Sequence, residues 1–474
     1  MKIYFMSDYG KQTSVDVENN TESEIYRAIA KELVTFEPTC SVRVSNEKIG
    51  SAAYQITTRS GTILISETRN NFWFSGNATY PHVYLTCVEY GLNDYTGRDK
   101  NHYKFYELEQ KGDEVIATYG RIGSKAGERF GVRSCKYPLS MFWIKYEEKI
   151  AKGYKDKSDI YLSDEKKEKV HTIDDLRPVK RKTVAVKLFE QLKAFCRSYI
   201  EKTCKSSKVT TGMIEESKRL LSELYKTTSV DGFNKILIEL LAISPRKVAQ
   251  VYELLAQDPD EFAEIISREE DLVNAMEGLK EDPTDVQPFT DVKVKKTSEE
   301  DKAIIDDMLA PELKGRVTGT WKISSEKFEH RYNRYCKDNK ITKTKLLWHG
   351  SRNENWLSII NNGLLLNPNA IITGKMFGNG IYFAPSCMKS WGYTSHIGAR
   401  WTGGDSNVSF MGIYETAYGD PLVVSSAHHF TQAEVERYGK NCVHAERGSQ
   451  LRADEIIYYS ESAMVLRYLV RFEC

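Results

Sequence analysis

Residues 346–393 read LLWHGSRNENWLSIINNGLLLNPNAIITGKMFGNGIYFAPSCMKSWGY, and the order of elements in this stretch decides the fold of the C-terminal part of the chain. Residues 345–348 form a short apolar strand that delivers a polar cluster, His349-Gly350-Ser351, at its end. From 353 to 362 the apolar Trp356, Leu357, Ile359 and Ile360 keep helical spacing, and Gly363 is placed to cap the helix. Gly374, Gly378 and Gly380 permit tight backbone, and Ile381-Tyr382-Phe383-Ala384 after them reads as a strand. A dinucleotide-binding Rossmann turn needs a strand before its glycines and a helix after them, so that fold is excluded. What remains is a cleft built from strand ends, with a His, a Ser and two Tyr facing it.

Four motifs occur here in one order: WHGSR at 348–352, GKMFGNGIYFA at 374–384, Lys389-Ser390-x-x-Tyr393, and Glu455-x-x-Tyr458-Tyr459 in a late apolar strand. A lone His after a Trp, or a Tyr in an apolar strand, is more often core than catalytic; the four together are specific. The stretch resembles the catalytic domain of the poly(ADP-ribose) polymerase family, ADP-ribosyltransferases with a His-Tyr-Glu signature. The resemblance maps that signature onto His349, Tyr382 and Glu455, and it implies NAD+ as substrate and no metal. NAD+ is cleaved at the bond joining nicotinamide to ribose, through a transition state with positive charge on the sugar, as in glycoside cleavage. A carboxylate there can hydrogen-bond the 2-hydroxyl, stabilise that charge or deprotonate an acceptor. By the same mapping Tyr382 and Tyr393 stack on nicotinamide, the Gly350 backbone and the Ser390 hydroxyl hold its amide, and His349 holds the adenosine-side ribose. Ser351 lies near His349, and Lys389 sits beside the reacting ribose.

Two departures from the family pattern matter. An Arg often follows Gly-Leu after the helix; here the matching position is Leu365, so an adenine-side or phosphate contact is missing or supplied elsewhere. The segment 424–452 before Glu455 is short for the family, which leaves the acceptor side open. A Glu at 455 favours a polymer-forming enzyme over a strictly mono-transferring one.

Composition sets the outer bounds. A chain of 474 residues with 41% hydrophobic and 28% charged residues is globular with ample core, divided into three or four domains. Its net charge of +1 singles out no class of partner. No apolar run approaches the length of a membrane span, and Met1–Phe5 lacks a signal-peptide pattern, so an intracellular protein is expected, nuclear if eukaryotic and otherwise cytoplasmic. Nine scattered cysteines with no C-x-x-C fit a reducing interior and speak against zinc fingers. His428, His429, Cys442 and His444 have no standard metal-site spacing.

The expected fold class is multidomain α+β. Residues 1–80 read as a small α/β module of unknown role, with strands at 2–6, 41–44, 53–58 and 62–66 and a helix at 22–36. Residues 81–165 read as a hairpin, 103–108 turning at 111–113 into 115–123, followed by a helix at 139–152 that ends in Gly153-Tyr154. This part resembles the WGR domain of the same family, with Tyr119-Gly120-Arg121 in place of Trp-Gly-Arg. Between 98 and 157 there are 14 Lys and Arg against 9 Asp and Glu, the cationic surplus a phosphate backbone requires. The resemblance implies a reader of DNA ends or strand breaks with Tyr119 and Arg121 at the contact.

Residues 154–182 are charged and nonperiodic, a linker containing the basic stretch 177–182. An all-α domain follows over 180–285, broken at Pro245, with Val248, Val251, Tyr252 and Leu255 resuming its apolar face. Its place matches the family's helical regulatory domain, which implies shielding of the cleft until DNA binds. Residues 280–300 read as a linker, and 295–474 as a mixed α/β ADP-ribosyltransferase domain with antiparallel sheets. Three functions compete: a DNA-activated poly(ADP-ribosyl)transferase modifying itself and nearby proteins; a mono-transferring or nucleic-acid-end-modifying enzyme; and a non-enzymatic DNA-end scaffold, which has no need of His349, Tyr382 and Glu455.

Overall fold

A computed structural model describes the strands of residues 1–74 and, beyond them, residues 82–92, 99–112, 114–128, 131–138, 141–163, 183–205, 208–247, 251–280, 291–366, 375–399, 402–403, 406–448 and 451–473. The chain divides into two compact units, Met1–Lys166 and Lys167–Cys474.

The first unit opens with six strands, β1 (Lys2–Met6), β2 (Gln12–Asp16), β3 (Ser41–Ser45), β4 (Ala53–Thr58), β5 (Gly61–Thr68) and β6 (Asn71–Phe74). They form one sheet in the order β2-β1-β6-β5-β4-β3, with β1 and β6 parallel. The strands expected here are present, and two were not foreseen, β2 and β6; the helix expected at 22–36 lies outside the described residues. A second sheet holds β7 (Val83–Leu92), β8 (Asp99–Lys111), β9 (Glu114–Arg121), β10 (Arg133–Pro138) and β11 (Lys155–Asp156) in the order β10-β9-β8-β7-β11. Helix α1 (Phe142–Ala151) packs Phe142 and Tyr146 against Leu85, Tyr106, Leu108 and Val115 of the sheet. It stops where Gly153 takes φ +84° and the Gly153 and Tyr154 amides donate back to the Ile150 and Lys149 carbonyls. The Gly-Tyr ending is therefore a real C-cap.

The second unit begins with helices α2 (Val184–Thr203), α3 (Thr211–Leu224), α4 (Val230–Ile243) and α5 (Phe262–Lys280). Thr183, Thr210 and Ser229 cap the first three by accepting from backbone amides. Phe233 and Phe262 stack at 4.0 Å in their core. The expected face after Pro245 holds only in part: Leu255 is buried, but 251–254 is a single 3-10 turn with Tyr252 51% exposed, and Val248 lies outside the described residues.

Two sheets complete this unit. The larger runs β12-β13-β22-β18-β14, from β12 (Val292–Lys296), β13 (Val317–Ser325), β14 (Lys345–Gly350), β18 (Val408–Thr416) and β22 (Met464–Glu473). The smaller runs β15-β21-β20-β19, from β15 (Ile381–Phe383), β19 (Leu422–Val424), β20 (Val443–Ala445) and β21 (Glu455–Tyr458); β16 (Gly398–Ala399) and β17 (Thr402–Gly403) form a separate pair. Part of the expected linker is thus an edge strand, since β12 pairs with β13 from Val292↔Ser325 to Lys296↔Trp321. A bridge joins the two sheets: the Trp348 amide donates to the Ala384 carbonyl at 2.9 Å and the Ala384 amide to the Trp348 carbonyl at 3.0 Å. Trp348 is fully buried with Met411, Ile413, Tyr468, Val470 and Phe472, so the end of β14 is fixed beside β15 by a core and not by a loop.

Candidate active site

The bridge sets His349 beside Tyr382. The Tyr382 carbonyl can only accept, so the His349 Nδ1–H donates to it, at 3.0 Å. Burial pushes the imidazole down to about 4, with Lys375 adding to the effect, so the ring is neutral near pH 7 and Nε2 is left with a lone pair. Phe383, Tyr414 and Trp356 enclose the ring with centroids at 5.5, 6.0 and 6.4 Å. A buried, neutral, oriented acceptor suits a sugar hydroxyl.

Tyr382 lies opposite Ile457 on the β15–β21 pair, and Glu455 sits at the start of β21. The tyrosine hydroxyl is engaged twice, accepting from the Phe377 amide and donating to the Gly378 carbonyl, both at 3.0 Å. It staples the glycine loop, which leaves the ring as the functional surface. Gly378 needs its positive φ of 83°, and a Cβ on it would meet the Phe430 carbonyl oxygen at 2.4 Å. Burial first, and then the charge of Glu455, push the Tyr382 hydroxyl up.

Glu455 is 6% exposed and pairs with the Lys389 ammonium at 2.8 Å. Lys389 belongs to the short helix Cys387–Trp391; burial opposes its charge, but the hydrogen bond to Glu455 and the nearby Tyr393 raise it on balance. Ser390 is buried and donates its hydroxyl to the Trp348 carbonyl at 3.0 Å, leaving its lone pairs open. A Cβ at Gly350 would stand 1.9 Å from the Ser390 carbonyl oxygen, so only glycine lets β14 and this helix close together. Tyr393 presents its ring to solvent at 57% exposure, 6.0 Å from the Lys389 ammonium. Ser351 accepts from Asn355 Nδ2 at 3.1 Å. All eight residues expected in the cleft are therefore gathered around the junction of β14, β15 and β21. Gly374 lies outside the described residues.

Four participants escaped the sequence reading. Asn355 Nδ2 also donates to Asp271 on α5 at 2.8 Å, tying the helical region to the cleft. Arg352 pairs with Glu354 at 2.8 Å and with Asp271 at 3.4 Å. Lys375 donates to the Gly380 carbonyl at 3.1 Å, with its ammonium 5.5 Å from the Tyr382 ring centroid. The Arg of WHGSR and the Lys between two glycines were visible signals; Asp271, in an acidic helix, gave none.

The expected nucleic-acid residues are in the first unit, at the end of β9. Tyr119 is half-buried, with its ring stacked on Tyr106 at 5.8 Å, which covers one of its faces. The Arg121 carbonyl accepts from the Ser124 hydroxyl at 2.6 Å, and a Cβ at Gly120 would stand 3.0 Å from the Gly131 carbonyl. His444 lies between the Tyr418 hydroxyl and Asp454 at 2.8 and 3.0 Å, and His428 packs on Phe430. Among the described residues no group of three or more potential metal ligands gathers. No helix among them is long and apolar enough to cross a membrane.

Comparison with known proteins places names on this geometry. Residues 298–462 match the family model for the poly(ADP-ribose) polymerase catalytic domain. The chain is 28% identical over 152 residues to a poly [ADP-ribose] polymerase-like protein of Invertebrate iridescent virus 6, covering 30% of this chain and 79% of that one. It is 27% identical over 185 residues to poly [ADP-ribose] polymerase of Drosophila melanogaster, covering 33% of this chain and 18% of the relative. Over 49 residues it is 57% identical to human poly [ADP-ribose] polymerase 2, covering 10% of this chain and 8% of that enzyme. Apart from the viral protein, the chain spans under a fifth of the length of these relatives. Residues 298–462 are thus a catalytic domain of the poly(ADP-ribose) polymerase type, an NAD+-dependent ADP-ribosyltransferase domain carried behind a β-rich and a helical region.

Proposed function

We propose that the protein is a poly(ADP-ribosyl)transferase that modifies itself and nearby proteins, with release of nicotinamide, and that DNA ends or breaks activate it. The observation that carries the transfer chemistry is the buried Glu455, held by Lys389 beside the Tyr382 ring. In this reading the nicotinamide lies against Tyr382 and Tyr393, and its amide meets the Gly350 backbone and Ser390. Glu455 accepts a hydrogen bond from the adjoining ribose and stabilises positive charge as the glycosidic bond breaks. His349, neutral and aimed by the Tyr382 carbonyl, accepts from the far ribose. Lys389 holds the carboxylate in place through their ion pair at 2.8 Å.

DNA dependence is supported by the basic β module containing Tyr119 and Arg121 and by the packing of α5 over the 351–355 segment, where a docked helix can restrict access to the cleft. Residues 180–285 then act as the regulatory domain and 81–165 as the DNA reader. The test is incorporation of labelled NAD+ by the full chain, with and without nicked or blunt-ended DNA, beside Glu455→Gln. A DNA-stimulated ladder that collapses in Glu455→Gln is expected. Activity indifferent to DNA would remove the gating, and single additions or label on DNA would replace polymer synthesis by the other transferase readings.

A further inference from the structure

His444 lies in the middle of β20, a strand of three residues between β19 and β21. In the antiparallel β20–β21 pair His444 is opposite Ile456, and Ala445 is opposite Glu455. Side chains alternate across a strand, so Glu455 shares its face with Ala445, Val443 and Ile457. Those three pack in one core with Phe377, and Tyr382 lies against that core. His444 and its partner Asp454 belong to the opposite face, behind the strand that presents Glu455. A three-residue strand gives β21 few ladder hydrogen bonds at this end, so side chains have room to decide how the strand is held.

A chain of side chains runs along that face. The Lys345 ammonium, at the start of the strand that ends at His349, sits over the Tyr418 ring at 3.8 Å, with Lys343 at 5.1 Å. The buried Tyr418 hydroxyl meets His444 Nδ1 at 2.8 Å, and His444 Nε2 meets Asp454 Oδ2 at 3.0 Å. Asp454 Oδ1 accepts from the Arg447 amide at 2.8 Å, which ties the turn after β20 to the start of β21. That amide first, and then His444, hold the Asp454 carboxyl below its usual range against the effect of burial. An ionised carboxylate only accepts, so Nε2–H donates to it; in the neutral ring Nδ1 then accepts from the Tyr418 hydroxyl. We propose that His444 is a positioning residue for Glu455: through Asp454 it fixes the start of β21, and with it the direction in which the Glu455 carboxylate is presented. The chain from Lys345 through Tyr418 and His444 to Asp454 joins the strand that carries His349 to the strand that carries Glu455.

The inference rests on the role given to Glu455 above, and its test separates the two. Nicotinamide release from NAD+ is followed on the full chain with nicked DNA present, below the thermal midpoint of each variant. His444→Ala lowers kcat by about ten- to a hundredfold, the scale on which misplacing a catalytic group costs rate, and leaves the KM for NAD+ within about twofold. His444→Gln, whose amide can donate to Asp454, restores most of kcat. Asp454→Ala lowers kcat at least as much as His444→Ala, because it also frees the Arg447 amide, and adding His444→Ala to it lowers kcat no further. Unchanged kcat in His444→Ala, equal losses for the Ala and Gln variants, or additive losses in the double variant overturn this inference alone, as long as Glu455→Gln abolishes release. A wild-type chain that releases no nicotinamide, or whose release ignores Glu455→Gln, overturns the reading beneath it as well.

Discussion

At the scale of single residues the site is built from groups whose protonation and direction are set by burial. The Lys389–Glu455 pair lies between an exposed and a fully buried ion pair, so Lys389→Met is expected to cost roughly 2 kcal/mol by leaving a buried carboxylate alone. Lys389→Met combined with Glu455→Gln recovers most of that loss, because no charge is then stranded; denaturant unfolding of the single and double variants checks it. Tyr382→Phe removes both hydrogen bonds that staple the glycine loop but keeps the ring. It is expected to raise the KM for NAD+ several-fold with a smaller change in kcat, whereas Tyr382→Ala lowers both kcat and kcat/KM. Equal kinetics for the two variants would assign the hydroxyl, and not the ring, to the chemistry.

At the scale of elements the seam between α5 and the turn 353–355 is the part most open to change. It is polar and buried, and it is incompletely satisfied: Asp271 Oδ2, Arg352 Nη1 and Asn355 Oδ1 make no hydrogen bond among the described residues. Burial, with Glu354 adding to it, pushes the Asp271 carboxyl up to about 7, against the pull of Asn355 and Arg352. The docked state therefore holds this proton more tightly than an open one. Docking is fully favoured below the ordinary carboxylate range and is weakened as pH rises through about 7. Hydrogen exchange over 262–280, corrected for intrinsic rates, is expected to be faster at pH 8 than at pH 6, and Asp271→Asn to erase the difference. The apolar side of the same seam is tight. A Cβ on Gly278 would meet Cys196 Sγ at 2.7 Å and Leu357 Cδ2 at 3.3 Å. Gly278→Ala is thus expected to lower stability by about 1–3 kcal/mol and to raise DNA-free NAD+ turnover; a higher thermal midpoint would contradict that packing.

At the scale of the whole molecule, the proposed function assigns contact with DNA to the first unit and transfer to the second. Arg121→Ala is expected to weaken DNA binding uniformly across sequences and to reduce the salt slope of log K by about 1, while NAD+ turnover without DNA is unchanged. The fold class was legible because each region carries its own local period: alternation in the strands, 3.6-residue spacing in the helices, and caps at Thr183, Thr210, Ser229 and Ser325. His349, Tyr382 and Glu455 stood out as candidates because they sit in short motifs, and the structure gathers them at β14, β15 and β21. The strand β12 was not, since Val292-Lys293-Val294-Lys295-Lys296 looks like a charged linker until β13 supplies its hydrogen bonds. The Tyr106 ring stacked on Tyr119 was not legible either, since only the pairing of β8 with β9 sets the two side by side. The amino-acid sequence by itself thus determined the order of the elements and the residue types gathered at the candidate site, because both are encoded within a few neighbouring positions. Only the tertiary structure decided that Asp271 meets Asn355, that Lys375 turns onto the Gly380 carbonyl and that burial holds His349 neutral, because those depend on burial and on groups brought together from elements far apart in the chain.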